Sequence, residues 1–165
     1  MAYGHAAAQL MQRPGAAVLT LTAERSVDDG LKRNASQFVK FAVVGGIGTV
    51  VNLVVLKATL LVWGHFHAAT PFSVEAFASG LAFAVAVVNN YVLNRLWTFR
   101  SSGAKGAEFA KFLIVSLAGL GLNELAFWVL RQQIGASVLV SQMVAILCVL
   151  PFNFVLNKLW SFKGA

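Results

Sequence analysis

Four apolar stretches, each about as long as a membrane is thick, constrain this chain more than any other feature. They run from about Lys40 to Val62, from about Phe72 to Leu93, from about Phe112 to Leu130 and from about Val138 to Leu156. Crossing a bilayer takes ~20 residues of helix. Buried helices of soluble proteins are usually shorter, and four such stretches in 165 residues leave no polar faces to meet water. The composition agrees: 12% of residues are charged, where soluble domains run at ~25%. The mean hydropathy is +0.73. The expected fold is an all-α membrane protein with four transmembrane helices. A soluble enzyme and a disordered chain are excluded. With Cys148 the single cysteine, so is an intrachain disulfide framework.

The basic residues orient these helices. Arg13, Arg25, Lys32, Arg33 and Lys40 precede or open the first stretch; Arg95, Arg100, Lys105 and Lys111 lie between the second and third; Lys158 and Lys163 follow the fourth. That puts 11 of 13 cations on one side, which the positive-inside rule makes cytoplasmic, together with both termini. The outer loops, near Trp63–Pro71 and Arg131–Ser137, are short. The net charge of +7 is thus a matter of topology, and nucleic acid is not expected as a partner. Residues 1–36 contain Pro14, Gly15, Asp28, Asp29 and Gly30 and no apolar run of signal-peptide length. They read as a mobile cytoplasmic tail ahead of a transmembrane domain over residues 37–165.

That domain is internally repeated, over residues of about 37–100 and 108–163. Phe38-Val39-Lys40-Phe41 recurs as Phe109-Ala110-Lys111-Phe112, and at the same offset Gly48 falls on Gly119 and Asn52 on Asn123. The segment from Asn90 to Arg100 recurs from Asn153 to Lys163 with seven identities in eleven positions. Each repeat holds an even number of spans, so the two are expected to be parallel, related by an axis along the membrane normal. Small residues mark expected helix contacts: Gly45, Gly46 and Gly48 in the first span, Ala78, Ala82 and Ala86 in the second, Ser141 and Ala145 in the fourth.

The polar residues of the spans fall into three groups. Asn90 and Asn94, followed by Arg95 and Trp97, approach the cytoplasmic end of the second span; Asn153, Asn157, Lys158 and Trp160 repeat them in the fourth. Asparagine donates and accepts hydrogen bonds, which suits sugar hydroxyls and phosphate oxygens. Arginine and lysine suit phosphate. Trp97 and Trp160 read as interface anchors, and Arg95 and Lys158 read equally as markers of the positive side. Asn52 and Asn123 lie near mid-membrane and suit an interhelical lock as well as a ligand site. Lys57 and Glu124 are the only charges well inside the spans. Glu124 is a candidate to take up a proton during transport, or to pair with Lys57, which otherwise snorkels to the outer surface. His65 and His67 lack further ligands for a metal. No metal, cofactor or nucleotide site is expected, and no catalytic residue.

Two sets of residues carry a family resemblance. Phe38-x-x-Phe41, Gly48-Thr49-x-x-Asn52-Leu53 and Asn90-Tyr91-x-x-Asn94-Arg95-x-Trp97-Thr98-Phe99 form the first; their counterparts through Asn153-Phe154-x-x-Asn157-Lys158-x-Trp160-x-Phe162 form the second. Together they resemble the GtrA family, over about Gln37 to Lys163. The resemblance implies a small four-span, non-enzymatic protein of the bacterial or archaeal inner membrane. Such a protein would move a polyprenyl-phosphate-linked monosaccharide between leaflets for cell-surface polysaccharide synthesis, beside a partner glycosyltransferase. The substrate-binding candidates are then Asn52, Asn90, Asn94, Arg95, Asn123, Asn153, Asn157 and Lys158. Ser116 and Leu117 stand where the first half has Gly45 and Gly46, so the two halves need not share one role. An adaptor that recruits a glycosyltransferase without transporting is the alternative. A proton-coupled exporter of cationic drugs is disfavoured, because the cytoplasmic face is basic. Four helices make a thin wall for a pathway, and a homo-oligomer is expected.

Overall fold

The computed structural model describes residues 14–66 and 74–163. The first outer loop over 67–73, with His67 and Phe72, lies outside the described residues. Every regular element among the described residues is helical: α1 (Pro14–Phe66), α2 (Val74–Leu93), α3 (Lys105–Gln132) and α4 (Val138–Leu156). Four helices are long and apolar enough to cross a membrane. Helix α1 begins inside the segment expected as a tail. Pro14 suits a first helical position, and a lone Gly30 costs only ~1 kcal/mol, too little to end a run of helix formers. The chain divides into two units between Gln37 and Phe38. The packed centre and the cavity belong to the second unit.

Helices α2 and α4 each run on into one π-helical turn, Asn94–Thr98 and Asn157–Ser161. Each turn is closed by an i→i−5 bond of 2.8 Å, from Phe99 N–H to Asn94 O and from Phe162 N–H to Asn157 O. Beyond the first turn Arg100 takes φ 51°, and the Ser101 N–H returns to Arg95 O at 2.9 Å, which is a left-handed helix stop. The α3–α4 connection is tight for local reasons. Gly135 takes φ +74°, open to glycine without a Cβ penalty. Arg131 Nη1 donates to Ala136 O at 2.7 Å. The Ser137 hydroxyl then accepts from Val140 N–H and caps α4.

The packed centre is aromatic: Phe41, Tyr91, Phe99, Phe112, Phe154 and Phe162 are buried together with Val87. Its contacts come in pairs of nearly equal geometry. Phe41 meets Phe154 at 5.8 Å and Phe112 meets Tyr91 at 5.8 Å. Phe38 stands edge-on to Phe154 at 5.3 Å, as Phe109 does to Tyr91 at 5.1 Å. Phe99 and Phe162 stack on each other in the middle at 4.8 Å. Lipid gives helices no hydrophobic reason to associate, so dispersion and ring geometry of this kind hold them. The Tyr91 hydroxyl also donates to Lys105 O at 2.8 Å, which ties α2 to the start of α3.

The small-residue faces are buried where close approach needs them. Ala78, Ala82, Ser141 and Ala145 have no exposed surface. A Cβ at Gly48 would lie 2.6 Å from Asn90 Cγ, and one at Gly119 would lie 2.7 Å from Asn153 Cγ. Gly45 and Gly46 differ from the expectation: a Cβ at either meets nothing within 4 Å. Gly45 borders a cavity instead of a neighbouring helix.

Candidate functional site

That cavity has a volume of about 400 Å³ and is bordered by all six asparagines singled out in the sequence: Asn52, Asn90, Asn94, Asn123, Asn153 and Asn157. Its lining runs from Phe41 to Asn52 on α1 and from Phe112 to Asn123 on α3, about 16 Å of helix. The convergence has a local cause. Asn90 continues the buried face of Ala78, Ala82 and Ala86 at four-residue spacing, and Asn153 continues that of Ser141, Ala145 and Val149. Asn90 and Asn153 pass over Gly48 and Gly119, where only glycine leaves room for an amide. Asn94 and Asn157 open the π turns and are 2% exposed.

The cavity offers acceptors and no charge. Among the described residues, no Lys, Arg, Asp or Glu borders it. The Oδ1 atoms of Asn90, Asn94, Asn153 and Asn157 are buried without a hydrogen-bond partner. The Asn157 amide is oriented by its own helix, since Nδ2 donates to Asn153 O at 2.9 Å and leaves Oδ1 free to accept. Thr49 and Ser116 also border the cavity. Their hydroxyl protons go to the carbonyls of Gly45 and Phe112, leaving oxygen lone pairs to the cavity. Asn123 is partly engaged, for its Oδ1 accepts from Gln142 Nε2 of α4 at 3.2 Å. Buried acceptors left unmade are costly. A ligand that supplies several hydroxyl donors would satisfy them once the amides turn toward the cavity, since these oxygens have almost no accessible surface.

The remaining candidates lie elsewhere. Arg95 does not border the cavity; it forms an ion pair with the buried Glu108 and donates from Nη2 to Gly103 O at 3.0 Å. The Ser101 hydroxyl donates to the same Glu108 carboxylate. Sequence alone does not single out Glu108, because its partner lies across the connecting loop, with no fixed spacing to reveal it. Lys158 Nζ sits 5.8 Å from the centre of the Phe154 ring. Trp97 and Trp160 are half-exposed, under Lys40 at 5.6 Å and Lys111 at 5.9 Å. Lys57 and Glu124 are both exposed, and they make no ion pair with each other.

Sequence comparison gives this geometry a family. The GtrA/DPMS transmembrane domain matches residues 40–162. The chain belongs to the GtrA/DPMS family. It is a multi-pass membrane protein, and the match takes in every asparagine of the cavity and both π turns. This GtrA/DPMS chain is 34% identical over 106 residues to the membrane protein YngA of Bacillus subtilis (strain 168), covering 63% of this chain and 71% of that one. It is 27% identical over 124 residues to a dolichol-phosphate mannosyltransferase of Pyrococcus furiosus, covering 74% of this chain. The chain spans 32% of that mannosyltransferase's length.

Proposed function

We propose that this protein translocates a polyprenyl-phosphate-linked monosaccharide across the inner membrane of a bacterium or archaeon, for cell-surface polysaccharide or glycan synthesis. The observation that carries the reading is the cavity: open on one side, free of charge and bordered by six asparagines. Monosaccharides present hydroxyl donors, and the unpartnered Oδ1 atoms of Asn90, Asn94, Asn153 and Asn157 accept them. Exchanging hydrogen bonds in this way offsets the cost of drawing a sugar out of water. The phosphate stays outside the uncharged cavity, at the basic end where Lys158, Lys40 and Lys111 stand. The prenyl chain remains in lipid. Arg95, already engaged by Glu108, holds the connecting loop and helps set the local charge. By the distribution of cations this end is cytoplasmic. The paired aromatic contacts support two parallel repeats about an axis through the Phe99–Phe162 stack. The protein moves its substrate without chemical change; it is not an enzyme.

A second reading, recruitment of a glycosyltransferase, is favoured by one observation: a mannosyltransferase carries a segment similar to this chain within its own, longer chain. Reconstitution separates the two. Proteoliposomes holding the protein are expected to equilibrate a polyprenyl-phosphate sugar between leaflets. Replacing both Asn94 and Asn157 by Leu should slow this by ~5- to 150-fold, at ~0.5–1.5 kcal/mol for each lost hydrogen bond. No translocation with any polyprenyl-phosphate sugar, together with increased glycosyltransferase activity when the protein is present, would favour recruitment.

A further inference from the structure

Two opposite charges stand on otherwise apolar, exposed helix faces. Lys57 borders a shallow hollow on α1 with Leu53, Leu56, Leu60 and Leu61. Glu124 lies on α3 between the exposed Leu117, Leu120 and Trp128. Neither has an ion-pair partner among the described residues of its own chain. A lone carboxylate or ammonium facing lipid is costly, by ~2.5–3.5 kcal/mol on insertion scales at the helix centre. Pairing relieves both charges at once, and within one chain the two residues do not pair.

We infer that Lys57 of one copy pairs with Glu124 of a second copy, so that α1 of one molecule docks on α3 of the next. Depth supports the match. Phe41 and Phe112 share one level, because each packs on one ring of the stacked Phe99–Phe162 pair. Counting from them, Lys57 lies four residues further from that level than Glu124, about 6 Å. Helical side chains lean toward their own N-terminus. Glu124 leans the same way on its parallel helix, and the longer lysine stem reaches back further, over the turn of Leu53, which narrows the offset. Trp128, 52% exposed, then comes level with Lys57 and faces the leucine hollow, adding ring area to the charge pair. The contact joins two different faces, so it is heterologous. Assembly of this kind does not depend on transport.

The test is self-association in lipid. In proteoliposomes, single-molecule photobleaching of the labelled full chain should show oligomers. Lys57→Met should weaken association about thirtyfold, and the charge exchange Lys57→Glu with Glu124→Lys should restore it. Cross-linking gives a readout independent of the stability of those variants. In a Cys148→Ser background, copies with Lys57→Cys mixed with copies with Glu124→Cys should form disulfide-linked pairs. Either variant alone should not. A wild-type chain that stays monomeric, a Lys57→Met variant that associates as the wild type does, or cross-links within a single variant but not between the two would overturn the inference.

Discussion

Gly48 and Gly119 show how one missing Cβ shapes the cavity. Alanine at either position overlaps the amide that crosses it, Asn90 or Asn153. The amide must then turn out of place. Overpacking of this sort costs ~1–3 kcal/mol, so Gly48→Ala and Gly119→Ala should each lower the melting temperature in detergent and weaken sugar-lipid binding. Gly45→Ala and Gly46→Ala meet open space. They should leave the melting temperature equal to the wild type or raise it, since glycine inside a helix costs ~0.5–1 kcal/mol relative to alanine. Gly45, Gly46 and Gly48 all read as contact glycines in the first span. What separates them is the rotation of α1 about its axis, which puts Gly48 under Asn90 while Gly45 borders empty space.

Among the elements, the connection between the π turn at Asn94–Thr98 and α3 is fastened by a buried charge. Arg95, Ser101 and the Gly103 carbonyl close around Glu108 and its partner. Removing one member of a buried pair leaves the other uncompensated, at ~3–5 kcal/mol. Glu108→Ala should destabilise the protein by that order, and limited proteolysis should cut faster between Ser101 and Ala104. The central stack joins the two π turns in the same way. Phe99→Ala or Phe162→Ala should cost ~3–5 kcal/mol, read as earlier unfolding in a denaturant titration. The spans were legible because apolar length is a local property, and so was the alignment of asparagines with small residues, which is a matter of four-residue spacing. The π turns were not. Their i→i−5 bonds answer to the packing of Phe99 and Phe162, and no residue type announces them. The Glu108–Arg95 and Gln142–Asn123 contacts were hidden for a similar reason, since each joins elements whose separation in sequence follows no rule.

Across the whole molecule, charge and cavity act together. Cations gather at the end where the aromatic rings close the helices, and the uncharged cavity begins beside Phe41 and Phe112. In a Cys148→Ser background, Lys32→Cys and Ser102→Cys variants should react with an impermeant maleimide from the cytoplasmic side only, and a Gly135→Cys variant from the outer side only. On the proposed function, this arrangement would separate the parts of an amphiphilic anion: hydroxyls inside, phosphate at the rim, chain in lipid. An experimental structure with a polyprenyl-phosphate sugar bound tests that separation without intermediaries. The sugar should lie between Asn94 and Asn157, within hydrogen-bond reach of their Oδ1 atoms, with the phosphate at the Lys158 end. A phosphate inside the asparagine cavity, or a sugar held on the outer helix faces with the cavity empty, would contradict it.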